Sequence, residues 1–270
     1  MSLFTKDKYK LEVGVKPPLK WAGGKRWLVP ELIKLWMPHM EKRLVEPFAG
    51  GLAVTLGLLP KRALVNDINE HLINFYLHLR KGLKVNIPLE YNQELYYQYR
   101  TDFNNYIRSN NSNSKEAAIL FYYLNRTGFN GLCRFNSKGE FNVPFGKYKT
   151  VTYKQDFEEY KKLFSKWQFM NTDFENLDTE TEDFIYADPP YDVQFTQYST
   201  GGFTWDDQIR TAEWLSRHKG PVVLSNQATD RIIKLYKKYG FSVQLLDAPR
   251  MINSTGDRTK AKEVLATRNL

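Results

Sequence analysis

Cysteine is almost absent. Cys133 stands alone among 270 residues, which excludes an intramolecular disulfide and a Cys-rich zinc site. A reducing, cytoplasmic setting is therefore expected. No apolar run approaches the ~18 residues of a membrane span, and the opening MSLFTKDKYK lacks the apolar core of a signal peptide. Secreted, membrane-bound and disulfide-scaffold classes are thus not expected. His39, His71, His78 and His218 fall at no metal-ligand spacing, so no metal is expected. The dinucleotide fingerprint G-x-G-x-x-G is missing, which disfavours a dehydrogenase; the phosphate loop G-x-x-x-x-G-K-[ST] and the hydrolase elbow G-x-S-x-G are missing too.

What is abundant is positive charge, unevenly spread. The 39 Lys+Arg exceed the 30 Asp+Glu, for a net charge of +9. Residues 1–43 carry ten Lys/Arg against four Asp/Glu, whereas residues 167–209 carry ten Asp/Glu and no Lys/Arg. Such asymmetry points to a polyanion on one surface and an acidic pocket elsewhere. A solvated charge mosaic would look similar, so charge alone leaves nucleic-acid binding open.

Short β-branched runs alternate with amphipathic stretches. Strands are expected at 43–48, 63–67, 167–174, 184–188, 221–226, 241–248 and 263–268. Helices are expected at 26–38, 52–59, 69–81, 156–166, 204–219 and 230–239. This alternation predicts an open α/β sheet with helices on both faces. The middle breaks the pattern. Residues 69 to about 127 read as mostly helical, and residues 128–148 (GFNGLCRFNSKGEFNVPFGKY) read as two extended arms around a turn at Asn136–Gly139. Residues 68–150 are therefore read as an inserted second unit, with 1–67 and 151–270 forming a discontinuous first one.

The sharpest motif is Asp188-Pro189-Pro190-Tyr191, at the end of an apolar strand. Open α/β sheets place ligands there. The carboxylate of Asp188, the carbonyl of Pro189 and the ring of Tyr191 suit a planar ring bearing an amino group. A tight turn after a strand is the plainer alternative. Glu46-Pro47-Phe48-Ala49-Gly50-Gly51 follows the first strand, where glycines let backbone approach a nucleotide-like ligand. Asp67 ends the next strand, 17 residues beyond Gly50, where an acid accepts from ribose hydroxyls. In Lys20-Trp21-Ala22-Gly23-Gly24-Lys25, Trp21 and the glycines can wall a pocket and Lys25 can meet the carboxylate of an amino-acid tail. In the hairpin, alternation puts Leu132, Arg134 and Asn136 on one face and Cys133 and Phe135 on the other. A two-stranded ribbon fits the major groove. There Arg134 can pair with a guanine and Leu132 or Pro144 can meet a thymine methyl, with Arg126, Lys147 and Lys149 on phosphates. An ordinary hairpin with a wet polar face is the competing reading.

The strings KWAGGK, EPFAGG, NGLCRFNSKGEFNVPFGKY and DPPY, in this order, resemble the Dam-type DNA adenine-N6 methyltransferases over about residues 18–268. The resemblance implies a Rossmann-like, S-adenosylmethionine-dependent sheet with an inserted helical and hairpin DNA-recognition domain. It implies methylation of adenine N6 in double-stranded DNA, within GATC. By position it implies that Trp21, Lys25, Phe48, Gly50, Asp67, Asp173, Phe174 and Asp188 contact S-adenosylmethionine, and that Asp188, Pro189, Pro190 and Tyr191 form the catalytic motif. Lys20, Asn130, Leu132, Arg134 and Pro144 would read bases. Arg126, Asn136, Asn142 and Lys147 would meet phosphates, and Phe129 would wedge into the base stack. Leu52 stands where the family usually carries a further glycine, and the segment after Tyr191 is Gly-poor until Gly201. No membrane and no obligate protein partner are implied. An amino-methyltransferase acting on RNA or protein, and a non-catalytic DNA-binding protein keeping the fold, remain alternatives. Whether it acts alone, beside a restriction partner or in a phage-infected cell is open.

Overall fold

A computed structural model describes residues 15–192, 202–248 and 261–270. The sheet they form has seven strands: β1 Leu44–Glu46, β2 Ala63–Asn66, β3 Trp167–Met170, β4 Phe184–Ala187, β5 Val222–Gln227, β6 Ser242–Ala248 and β7 Ala261–Arg268. Their spatial order is β3-β2-β1-β4-β5-β7-β6. The first five pair in parallel, while β7 runs antiparallel between β5 and β6. Strand order reverses between β1 and β4, and a crevice opens at such a switch point.

Alternation along the strands splits the core in two. Leu44, Val65, Phe184 and Tyr186 enter one apolar cluster; their neighbours Val45, Leu64, Ile185 and Ala187 enter another. Because successive side chains point to opposite faces, both faces of the sheet are buried and must be covered. Helices α7 (Trp205–Arg217) and α8 (Asp230–Lys238) cover the second face, through Ala212, Leu215, Ile232 and Leu235. Helices α1 (Val29–Trp36), α3 (Glu70–Arg80), α5 (Lys115–Thr127) and α6 (Glu158–Phe164) share the first cluster, as do residues of α4 (Gln93–Arg108). Thr204 and Asp207 complete a reciprocal capping box at the start of α7. Among the described residues no helix is long and apolar enough to cross a membrane.

Several expected elements are shorter. The helix expected at 52–59 is only α2, Thr55–Leu58, because Leu52 (φ 61°) and Leu59 (φ 47°) sit in the left-handed region on either side. Leu52 thus adopts the backbone that the glycine usual at this place tolerates better. The strand expected at 167–174 stops at Met170, and a single 3-10 turn follows at Phe174–Asn176. The helix expected at 26–38 is α1, continued by a 3-10 turn at Met37–His39.

Residues 68–150 do not have a core of their own. Within α3, Phe75 stacks on Tyr122 of α5 while the adjacent Tyr76 meets Phe169 of β3, so α3 joins the insertion to the sheet. The hairpin turn stands where expected. Asn136 N–H donates to the Glu140 carbonyl, and Gly139 has φ 75°. Its first arm is shorter than expected, since Phe129–Gly131 is a 3-10 turn, with Asn130 at φ 52°. Cys133 is buried and Phe135 stacks on His71 of α3, whereas Arg134 is exposed.

Candidate active site

A cleft of about 740 Å³ opens at the switch point. Its walls include Trp21, Phe48, Asp67, Phe174, Asp188 and Tyr191, and the hairpin leans over it through Cys133, Phe135 and Gly139. The motifs at 20–25, 46–51 and 188–191 therefore meet, although they lie far apart in the chain.

The glycine turn after β1 is shaped by Trp21. A side chain at Gly50 (φ 46°) would come within 2.6 Å of the Trp21 ring, and one at Gly51 within 2.7 Å of its Cβ. Asp67, just past the end of β2, ties this turn down. Its Oδ2 accepts the Gly50 N–H (2.9 Å) and its Oδ1 the Asn69 N–H (2.9 Å). Burial raises the Asp67 pKa despite those two donors. Phe48 and Phe174 lie with ring centroids 5.3 Å apart. Asp173 caps the 3-10 turn beside them and pairs with Arg210 (2.9 Å).

Asp188 begins where β4 ends. Its Oδ1 accepts from Ser225 of β5 (2.8 Å), and its Oδ2 accepts from Lys25 (2.7 Å). Gln208 of α7 donates to the Pro190 carbonyl (2.7 Å), which fixes the double-proline turn. Lys25 lies differently from expectation. Its ammonium, 3 % exposed, donates to Asp188, to the Tyr191 hydroxyl (2.9 Å) and to the Gly23 carbonyl (3.2 Å). These three partners match its three N–H bonds, so this geometry does not leave it for a tail carboxylate. Two buried acids also stand near the cleft: Glu263, which the sequence did not single out, and Glu46, which it named only as the start of the glycine motif. Glu263 of β7 accepts from the Tyr191 hydroxyl. Glu46, at the end of β1, accepts from Thr55, and burial pushes its carboxyl up to about 8. Glu46 closes the apolar strand β1, which was the available signal for it; Glu263 stands in a strand that also carries Lys262, Thr267 and Arg268, so no comparable signal marked it.

The residues expected at DNA separate into two groups. Phe129 (45 % exposed), Asn130, Arg134, Pro144 and Lys147 are exposed near the hairpin. Lys20, Arg126, Asn136 and Asn142 make bonds within the fold. Asn136 accepts from the N–H groups of Lys138 and Glu140 (both 2.9 Å), so it builds the turn instead of standing free for a phosphate. Arg126 donates to the Thr152 carbonyl (2.9 Å) and buries its Nε, again an internal role. Asn142 accepts from Arg134 Nε (2.8 Å). Lys20 donates to the Arg126 carbonyl (2.8 Å) and lies over the Tyr148 ring. Burial, and then the nearby Arg126 charge, lowers its pKa to about 8. Leu132 is half-buried.

A parallel sheet with an antiparallel last hairpin and an acidic, aromatic-walled crevice at its switch point defines an α/β fold with a ligand site at its strand ends. Residues 21–252 match the family described as D12 class N6 adenine-specific DNA methyltransferase. The type II methyltransferase M.MjaIII of Methanocaldococcus jannaschii is 35% identical over 280 residues, covering 91% of this chain and 96% of that protein. The retron Ec67 DNA adenine methylase of Escherichia coli is 36% identical, covering 92% of this chain and 90% of its own length. A solved ribosomal protein L11 methylase from Lactobacillus delbrueckii subsp. bulgaricus, 12% identical, covers 94% of this chain and 83% of its own at a TM-score of 0.40. The chain belongs to the D12 class of N6 adenine-specific DNA methyltransferases. Its cofactor is S-adenosyl-L-methionine and its substrate is DNA.

The cleft suits that cofactor. It is lined by the aromatic rings of Trp21, Phe48 and Phe174, faces that suit a purine ring and a sulfonium cation.

Proposed function

We propose that the enzyme methylates N6 of an adenine extruded from duplex DNA, within GATC, and that Asp188 and the Pro189 carbonyl grip the reacting amine. One observation carries this reading: Asp188 stands at the end of β4 on the same cleft as Asp67 and Phe174. Two reactants bound there would meet across a few ångströms, and positioning of that kind supplies up to ~7–11 kcal/mol of barrier reduction.

Trp21, Phe48, Gly50, Asp67, Asp173 and Phe174 would hold the cofactor. When bound it supplies an electrophilic methyl group. Adenine N6 is a weak nucleophile because its lone pair is delocalised into the ring. Hydrogen bonds from its two N–H groups to Asp188 and the Pro189 carbonyl localise that pair toward the methyl. Asp188 stays oriented by Ser225, whose hydroxyl is bridged to Tyr186 (2.8 Å). The Tyr191 ring offers the stacking face, offsetting part of the cost of extrusion, a few kcal/mol. Residues 68–150 act as the recognition unit, with the exposed hairpin in the major groove and Phe129 as an apolar wedge. GATC is supported by the resemblance of the hairpin string, and the exposed Arg134 is of the residue type that pairs with guanine. We assign the enzyme to the cytoplasm.

The test is methyl transfer to duplexes with and without GATC, with N6-methyladenine read by mass spectrometry. The wild type should methylate only GATC duplexes. Asp188→Ala should lose roughly a hundredfold or more in turnover while still binding duplex. Appreciable turnover by that variant would remove Asp188 from the chemistry.

A further inference from the structure

Asp188 is not idle in the absence of substrate. Its Oδ2 is paired with Lys25, so a base amine arriving at that oxygen competes with an ammonium group. A buried ammonium displaced from its carboxylate needs another acceptor close by.

Glu263 supplies one. It projects from β7, beside β5, and its Oε1 accepts from the Tyr191 hydroxyl. Its other oxygen, Oε2, is buried with no hydrogen-bond partner and lies 3.9 Å from Lys25 Nζ. Lys25 therefore stands between two carboxylates, bonded to one and close to the other. A shift of about 1 Å would bring it to hydrogen-bond distance from Oε2. Among the described residues, Lys25, Tyr191 and Asp188 are the titratable groups that act on Glu263.

We propose that Glu263 is a positioning residue for methyl transfer: it holds the Tyr191 hydroxyl, and its open Oε2 takes the Lys25 ammonium when a base amine engages Asp188. The exchange rests on the reading of Asp188 given above. It explains why a second acid is buried so close to the catalytic carboxylate. Without Lys25 the two would repel. With Lys25 shuttling between them, one positive charge serves both the empty and the filled pocket. Burial holds the Glu263 carboxyl above its ordinary range, opposed by Lys25 and by the Tyr191 hydrogen bond. Closing the Lys25 pair strengthens that opposition.

The experiment is single-turnover methylation by Glu263→Gln, with duplex and S-adenosylmethionine affinities and thermal unfolding measured on the same protein. The rate should fall about tenfold or more while both affinities stay within about twofold. A wild-type rate overturns the proposal. So does a rate lost together with affinity or fold, which would mark a structural role. The exchange itself is read in a Lys25→Met background, where Glu263→Gln should cost no more than about threefold further, because the group it receives is gone. The full loss persisting there overturns the exchange. Asp188→Ala separates the two readings. If that variant turns over normally, the reading of Asp188 fails. If it is inactive while Glu263→Gln is at wild-type rate, only the role of Glu263 fails.

Discussion

The side-chain amide of Asn69 donates to Cys133 Sγ at 3.2 Å, joining the edge of the cofactor cleft to the hairpin. The same residue caps α3, accepting from the N–H groups of His71 and Leu72, and its own N–H donates to Asp67. One short residue thus fixes a helix start and the hairpin base through its side chain, and the end of β2 through its backbone. Asn69→Ala removes the cap and leaves the thiol without its donor. Losing an N-cap costs about 0.5–2 kcal/mol. Urea denaturation should show a loss at the upper end of that range. S-adenosylmethionine affinity should weaken as well, because Asp67 loses its neighbour's fixed position. Unchanged stability would mean that Asn69 caps nothing of consequence.

Glu46 makes stability depend on pH. Its pKa in the fold is about 8, because burial opposes the charge more strongly than the Thr55 hydrogen bonds favour it. A folded-state pKa above the unfolded value gives a contribution that is fully present below the unfolded pKa and lost as pH rises through the folded one. The wild type should therefore lose stability from about pH 5 to 9, on the order of a few kcal/mol through this residue. Glu46→Gln imitates the protonated form and should flatten the profile, so its advantage grows with pH. Denaturation midpoints at acid, neutral and alkaline pH check this; parallel curves for the two proteins would contradict it.

The strands were readable because each is an apolar run bounded by turn residues, and Asp188 was readable because it ends one. What could not be read was their order and the partners across it. Periodicity places Glu263 on a strand but does not say that β7 inserts between β5 and β6. Lys25 and Asp188 are 163 residues apart, so nothing local announced their pairing. The 52–59 stretch misled for another reason. Its apolar spacing is helical, but Leu52 and Leu59 turn left-handed, and packing overrides the local pattern. In the hairpin, Asn136 and Asn142 look like free polar groups in sequence, yet their amides bind the hairpin itself. Of the Gly-poor segment that follows Tyr191, residues 193–201 lie outside the described residues.

Arg134 and Lys147 should separate base reading from phosphate contact. Arg134 is exposed, but its guanidinium is steadied by Asn142, through the side-chain oxygen (2.8 Å) and the carbonyl (3.1 Å). A guanidinium held on one edge keeps other N–H groups for a guanine, and its orientation is fixed before binding. Lys147 is exposed and extends from the returning arm. Arg134→Ala should therefore relax discrimination at one base pair by about 1–3 kcal/mol, while Lys147→Ala should weaken all duplexes alike and lower the salt slope by about 1. Asn142→Ala should mimic Arg134→Ala in milder form, since it frees the guanidinium without deleting it. Competition binding across single-base variants of the site, repeated over a salt series, reads all three. Equal weakening at every base pair by Arg134→Ala would make it a phosphate contact, and Asn142 would then hold it for the backbone instead of the base.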